Sequence, residues 1–259
     1  MRVISFHADG IHSAAENGFF DWATAQEADF ICVQNLGCSE YDLQSDVFFP
    51  ADYNAYFFDA VEGGRDGVAL YCRQLPKAIM TGLGFSDFDM EGRYIQADYS
   101  NVSVGCLLVP PGGEPGSDEQ ARKLEFLGLL QNHLSKIRNK RREFIICGGW
   151  QIAHTAIDVQ DMQQNSGRLT EERQWMDETL ELGYVDAFRE VNSDQDEFSW
   201  WPDTVGNPEQ PRDHNGLRTD LQVVSAGMKY AVEYGAIYKG QVFASHAPLI
   251  MDYDLEPVT

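Results

Sequence analysis

Five of the chain's 19 Lys and Arg residues, Lys136, Arg138, Lys140, Arg141 and Arg142, fall within seven positions of a protein whose formal net charge is −22. One or two of them suit the last turn of a helix, where cations complement the dipole. Five together in so acidic a chain predict a contact surface for an anion or an acidic partner. Trp200 and Trp201 offer platforms on which bases can stack. Successive strand residues project to opposite faces, which predicts one of these rings in the core and the other at the rim. His154 reads as a residue that packs or caps a turn, and Asp158 and Asp186 as carboxylates that satisfy loop backbone. The cysteines, Cys32, Cys38, Cys72, Cys106 and Cys147, show no Cys-x-x-Cys spacing, so they read as buried free thiols and not as disulfides or a zinc site.

The 41 Asp and Glu residues bear on function. So acidic a body repels a phosphodiester backbone unless cations are gathered locally, which weighs against a free-standing DNA enzyme. Solubility or a salty interior explains the acidity equally well. With 43% hydrophobic and 12% aromatic residues, the chain can build a sizeable core and is far from disordered composition. No run of 18 apolar residues exists, and the N-terminus turns polar after Phe6, so neither a membrane span nor a signal peptide is expected and the compartment reads as cytoplasmic. There is no internal repeat or linker, and residues 1–259 read as a single domain.

Elements that must position such groups are legible as short runs rich in β-branched and aromatic residues. They are Arg2–Phe6, Phe30–Gln34, Val68–Cys72, Tyr94–Tyr99, Val102–Val109, Glu143–Cys147, Asp220–Val224 and Leu249–Tyr253. Helical periodicity covers Ser13–Gln26, with Ala14, Phe19 and Trp22 facing a core, and Asp118–Arg138, with Leu124, Leu127, Leu130, Leu134 and Ile137 three or four apart. A third helix covers Glu171–Leu182 with Thr170 as its N-cap. Pro110 to Gly116 reads as a long loop. The pattern indicates an α/β protein, and two face-to-face sheets with helices outside would bury these strands well.

Short segments fall at the ends of these elements: Ser5-Phe6-His7-Ala8-Asp9-Gly10-Ile11, Asp29 to Asn35, Gly67-Val68-Ala69, Glu91-Gly92-Arg93-Tyr94 and Leu107 to Pro110. They continue with Gly148-Gly149-Trp150-Gln151-Ile152-Ala153-His154-Thr155, Glu171 to Trp175, Phe198 to Pro202, Arg218-Thr219-Asp220 and Ser245-His246-Ala247-Pro248. In this order they resemble the exonuclease III/AP-endonuclease family, whose counterparts include Ser-Trp-Asn-Val-Asn-Gly-Ile, Gly-Asp-Phe-Asn-x-Ala-His-Thr and Asp-His-Cys-Pro. The resemblance implies a four-layer α/β/β/α sandwich of the endonuclease/exonuclease/phosphatase type, with its site at one end of both sheets.

The resemblance also implies which residues would do chemistry. An Asn and a Glu that help hold Mg²⁺ are replaced here by His7 and Asn35, and the phosphate-contacting Tyr by Leu108. The water-activating Asp is Gly149, its Asn companion is Gln151, and the Asp expected to orient the catalytic His is Ser245. Asp220 and His246 survive. With one family carboxylate of four left, no Mg²⁺ cage, no metal and no cofactor are expected, and His246 is expected to lack an orienting carboxylate. His7, Asn35, Asp220 and His246 would together suit a transition metal, but His7 reads more simply as a tolerated residue in an idle pocket. Gly92 to Asp98 and His246 to Asp254 resemble the catabolite repression control branch of the family. That branch implies a non-catalytic post-transcriptional regulator joining the RNA chaperone Hfq on A-rich mRNA, here through Lys136, Arg138, Lys140, Arg141 and Arg142, with weak binding to naked nucleic acid. Two alternatives stay open: an active Mg²⁺-dependent AP endonuclease, 3′-exonuclease or other phosphodiesterase with a rearranged site, and a protein-interaction module without RNA contact.

Overall fold

Among the described residues, twelve strands and six α-helices form in chain order. The first half runs β1 (Arg2–His7), α1 (Ile11–Glu16), α2 (Phe19–Ala25), β2 (Phe30–Gln34), β3 (Asn54–Phe58), β4 (Val68–Cys72), β5 (Ala78–Thr81), α3 (Ser86–Asp89) and β6 (Tyr94–Asp98). The second runs β7 (Val102–Leu108), α4 (Asp118–Ile137), β8 (Glu143–Gly149), α5 (Thr170–Glu181), β9 (Val185–Asp186), α6 (Ala187–Val191), β10 (Asp220–Val224), β11 (Val232–Ile237) and β12 (Leu249–Tyr253). These come from a computed structural model, which describes residues 1–160, 167–204, 212 and 215–259. No helix among the described residues is long and apolar enough to cross a membrane.

The strands make two six-stranded sheets, ordered β11-β12-β1-β2-β4-β3 and β5-β6-β7-β8-β10-β9. At the centre of each, one pair is parallel, β1 with β2 and β7 with β8. Val3, Cys32, Leu70, Val104, Cys106, Ile145, Leu249 and Met251 fill the space between the sheets. On the outer face of the first sheet Ile4, Phe6, Ile31 and Val33 meet Ala14, Phe19, Phe20 and Ala23 of α1 and α2. On the outer face of the second, Leu107, Phe144, Ile146 and Leu221 meet Phe126, Leu127, Leu130, Leu134 and Ile137 of α4 and Trp175 and Met176 of α5. The layers are therefore α/β/β/α, as the resemblance implies. Central strands covered on both faces must read as near-continuous apolar runs, which is why β2, β4 and β7 are buried at every residue. Each large aliphatic side chain buried there contributes about 1.5–3 kcal/mol.

Three local expectations are corrected. The single helix at 13–26 is two, because Gly18 adopts a left-handed φ of 85° between them. The third helix takes Leu169 as its N-cap, with Thr170 as first helical residue. There Glu172 Oε2 accepts the Leu169 N–H at 3.0 Å, a carboxylate doing from N3 what a cap hydroxyl would have done. Asp186 does not serve loop backbone: Arg218 Nη2 donates to its Oδ2 at 2.6 Å. Asp158 does both jobs, accepting from Thr155 N at 2.9 Å and from Arg218 Nε at 2.7 Å. All five cysteines are free and buried.

Candidate active site

The C-terminal ends of β1, β2, β7 and β8 lie together with the start of β10 and the approach to β12. Register makes this so: His7 pairs with Gln34, Leu108 with Gly149, and Gly149 with Asp220. The eight pocket positions named from the sequence therefore share one end of the two sheets, with Asn35 following β2 and Ser245 and His246 preceding β12. The end of β8 needs glycine at 148, where φ is 147° and a Cβ would lie 1.9 Å from the Leu107 carbonyl oxygen. Beyond it Gln151 is fixed from below. Lys123 Nζ, fully buried, donates at 2.6 Å both to the Gln151 carbonyl and to Glu172.

Asp220 is 1% exposed and works through one oxygen. Its Oδ2 accepts from Ser199 Oγ and meets His246 Nδ1, each at 2.7 Å. Ser199 in turn accepts the Thr219 and Asp220 N–H groups at 3.2 Å. The segment around Ser199 is clamped on both sides, Trp200 bridging Leu217 and His246. His246 thus has the orienting carboxylate that the sequence reading denied it; the reading looked for it at 245, while the fold supplies it from β10. The His246 ring lies between His7 (centroids 4.0 Å apart) and Trp200 (5.6 Å). Trp201 is buried and Trp200 half-buried, one ring in the core and one at the rim as expected, although the segment makes isolated bridges and no strand.

His7 fills the space that a side chain at 149 would take. A Cβ on Gly149 would lie 3.2 Å from His7 Nδ1, with Leu108 Cδ1 and Gln151 Nε2 each at 3.5 Å. Asp9 lies 3.7 Å from the other ring nitrogen, Nε2, and accepts from the backbone N–H of Ser245 at 3.0 Å and from its hydroxyl. Burial, then the neighbouring His246 charge, holds the His7 imidazole down to about 4, so it is neutral near pH 7. Burial works against a charge on His246 as well, but Asp220, by charge and hydrogen bond, and then Asp9 outweigh it and raise its pKa. Arg212 lies over Trp201 at 4.6 Å and donates from Nη2 to the Ala244 carbonyl. Its Nε and Nη1 are buried with no hydrogen-bond partner among the described residues.

His7, Asp220 and His246 offer donor atoms within 4.8 Å of one another. Such a set does not fit the Mg²⁺ cage that the resemblance implies, because Mg²⁺ takes oxygen ligands in octahedral array and two of the three donors here are imidazoles. Asp9, Ser199 and Arg212 were missed by sequence reasoning. A signal existed for Asp9, since the family's opening motif has Asn where this chain gains a carboxylate. The basic run is not at this site. It joins α4 to β8 at Glu143, six residues, or roughly 20 Å of strand, from Gly149. Lys136, Arg138, Lys140 and Arg141 are exposed there, and Arg142 pairs with Asp98 at 2.9 Å. His154 meets Asp177 of α5 at 2.7 Å.

A family model described as "Endonuclease/Exonuclease/phosphatase family" matches residues 12–237. The chain is 29% identical to an exodeoxyribonuclease of Bacillus subtilis (strain 168), over 96% of this chain and 98% of that protein. It is 28% identical to a DNA-(apurinic or apyrimidinic site) endonuclease of Dictyostelium discoideum, over 98% of this chain and 71% of that one. Among solved structures it superposes on an AP endonuclease from Archaeoglobus fulgidus with a TM-score of 0.86 at 21% identity, covering 98% and 100% of the two chains. These relatives overturn the expectation of a non-catalytic translational regulator. Proteins similar to this one along nearly its whole length are named as nucleases. Position-by-position loss of family residues did not license the inference that hydrolysis is gone.

Proposed function

We propose that this chain, which belongs to the endonuclease/exonuclease/phosphatase family, hydrolyses phosphodiester bonds in nucleic acid, in the manner of an AP endonuclease or 3′-exonuclease, through a rearranged site. The observation that carries this reading is the buried Asp220–His246 pair, 2.7 Å apart and braced by Ser199, at the end of the two sheets in a chain whose curated relatives are nucleases. A histidine fixed by a carboxylate and confined between two rings is held in one orientation, which is what proton transfer or charge stabilisation at a phosphate requires. Arg212 supports the same reading. Two buried guanidinium nitrogens without partners among the described residues, near Asp9 and His246, suit the non-bridging oxygens of a phosphate.

Purified protein should nick a duplex oligonucleotide carrying one abasic site, or shorten a 3′-recessed duplex, in the presence of Mg²⁺, Mn²⁺ or Zn²⁺. Asp220→Asn and His246→Ala should each lose about 10²–10⁴ of that rate, the usual contribution of a positioned acid–base group. If the parent protein cuts neither substrate with any of the three ions, while a control nuclease does so in the same buffers, the reading is wrong. Cleavage that survives both substitutions would mean that a different group, or a contaminant, does the chemistry.

A further inference from the structure

Gln151 stands just beyond β8 with φ at 57°, in the left-handed region that a residue with a Cβ occupies only where its surroundings hold it. What holds it is charged and completely buried. Lys123, in the second turn of α4, and Glu172, in the first turn of α5, are both 0% exposed. Lys123 Nζ donates at 2.6 Å to the Gln151 carbonyl oxygen and at 2.6 Å to Glu172 Oε1. Glu172 Oε1 also accepts from Gln120 Nε2 at 3.2 Å, and its Oε2 takes the Leu169 N–H at 3.0 Å. Gln120 in turn accepts the Gly113 N–H at 3.2 Å through its Oε1. Two glycines allow this closeness. A Cβ at 112 would lie 2.6 Å from Gln120 Oε1 and 3.0 Å from Lys123 Cδ, and one at 167 would lie 2.9 Å from the Gln151 carbonyl oxygen.

We propose that Lys123 and Glu172 are positioning residues for the pocket: together they hold Gln151 in its left-handed conformation and tie to it the loop after β7 and the lead into α5. The consequence is the direction of the Gln151 side chain, whose Nε2 lies 3.5 Å from where a Cβ at 149 would be, beside His7. A donor held in place in advance costs no reorganisation when charge develops on a phosphate oxygen. Stability does not account for the pair. Replacing a buried ion pair with apolar side chains of like volume is often neutral or stabilising, because each charge gives up its hydration. What apolar side chains cannot do is hydrogen-bond several loops at once, and the loops bonded here border the pocket. Gly113 follows β7, whose last residue, Leu108, pairs with Gly149. The segment leading to Leu169 lies against Gln151 and accepts the Ala153 N–H on the Gly167 carbonyl at 2.8 Å. The pair's effect on cleavage rests on the hydrolytic reading, whereas its hold on Gln151 does not.

The test compares the full chain with its double variant Lys123→Met, Glu172→Met by amide hydrogen exchange and by steady-state cleavage of the abasic duplex. Both charges are removed together because removing one leaves the other buried alone. The Leu169 N–H loses its own acceptor, so Gly113 and Ala153, whose acceptors remain, decide the outcome. Their exchange should speed up by about 10–100-fold, the scale of one lost hydrogen bond to a charged group, while amides inside β8 keep the parent rate. With the duplex, kcat should fall by about 10–100-fold, as for a displacement of about 1 Å at a reacting group, and KM should stay within about threefold. Exchange that rises equally along the whole chain, or does not rise at Gly113 and Ala153, overturns the proposal. Loosened loops with an unchanged kcat overturn it as well, since the hold would then not reach the reacting groups. If the parent chain cleaves nothing, the hydrolytic reading fails, and the exchange rates alone decide whether the pair holds the pocket. Should the double variant fail to fold, Glu172→Gln, which keeps the shape and turns one acceptor into a donor, is measured in the same two ways and judged by the same outcomes.

Discussion

Gly149 and His7 share one volume, and the sharing can be measured. Gly149 is not in a left-handed conformation, so the backbone itself accepts a side chain. The obstacle is His7 Nδ1, 3.2 Å from a Cβ at 149, on a ring 5% exposed and stacked at 4.0 Å on His246. The ring cannot swing away without breaking that stack. Gly149→Asp therefore overpacks the pocket, at a cost of about 1–3 kcal/mol. At roughly 2–4 °C per kcal/mol for a protein of this size, melting should fall by about 2–12 °C. His7→Asn vacates the volume, so the double variant should be more stable than the two single changes sum to, with a coupling of about 1 kcal/mol in its favour. It also rebuilds the Asn and Asp that the family resemblance places at these positions. Urea or thermal unfolding of the four proteins gives the cycle, and nuclease assays on the same samples should show Gly149→Asp alone to be the poorer enzyme. Additivity within about 0.3–0.5 kcal/mol would mean that residues 7 and 149 do not compete, and the account of the pocket would fail.

Other outcomes are expected elsewhere. Arg212→Ala should reduce kcat/KM by about 10–150-fold, equivalent to losing about 1.5–3 kcal/mol of hydrogen bonding to a charged group; Arg212→Lys should recover little, having no planar fork, and unchanged kinetics would remove Arg212 from the site. Asp158→Asn should destabilise the fold by about 3 kcal/mol, because it leaves the buried Arg218 with Asp186 alone. Burial pushes the Asp158 carboxyl up, but Arg218 and Arg189 outweigh it and hold it well below the usual range. A depressed folded pKa gives stability that is full above the unfolded value, about 3.9, and is lost as pH falls through the folded one. The difference between parent and variant should accordingly be flat above about pH 4 and shrink below it, and a difference that grows in acid would reverse the sign of the account. Arg138, Lys140 and Arg141 changed together to Glu should leave cleavage of a short abasic duplex within about twofold, given roughly 20 Å to the pocket; a large loss would place the basic run in the substrate path.

What was legible of the fold divides along a physical line. All eight strands found in the sequence are interior to their sheets, and the four missed, β3, β5, β9 and β11, are the four edges. An interior strand covered on both faces must be apolar throughout, as Phe30-Ile31-Cys32-Val33 is, and that run is visible without context. An edge strand answers to water. Ala78–Thr81 is exposed or half-buried at every position and Val232–Ile237 carries Glu233 and Tyr234 facing out, so neither leaves a run to read. Val185–Asp186 is two residues long and below any periodicity. The break in the first helix depended on Gly18 taking a positive φ, which a lone glycine in a helical pattern does not announce.

The pocket was legible in position and misread in chemistry, because its residues were weighed one at a time. All eight positions lie at one end of the two sheets, so the motif spacing picked out residues that the fold makes neighbours. Counting lost carboxylates treated each as an independent deletion, whereas the changes come in contacting pairs. Where the family motif has Asn and Asp at 7 and 149, this chain has His7 and Gly149, the larger ring lying against the emptied position at 3.2 Å. Where it has Asn and Asp at 9 and 245, this chain has Asp9 and Ser245, with both donors of the serine turned onto the carboxylate. In the second pair the negative charge has crossed a hydrogen bond and not left the pocket. In the first, an oxygen donor has become a nitrogen donor in nearly the same space. Volume is thus conserved across the first contact and charge across the second, while residue identities are conserved in neither. A single sequence conceals this, because residues 7 and 149, or 9 and 245, become neighbours only when the two sheets pack face to face with these ends together.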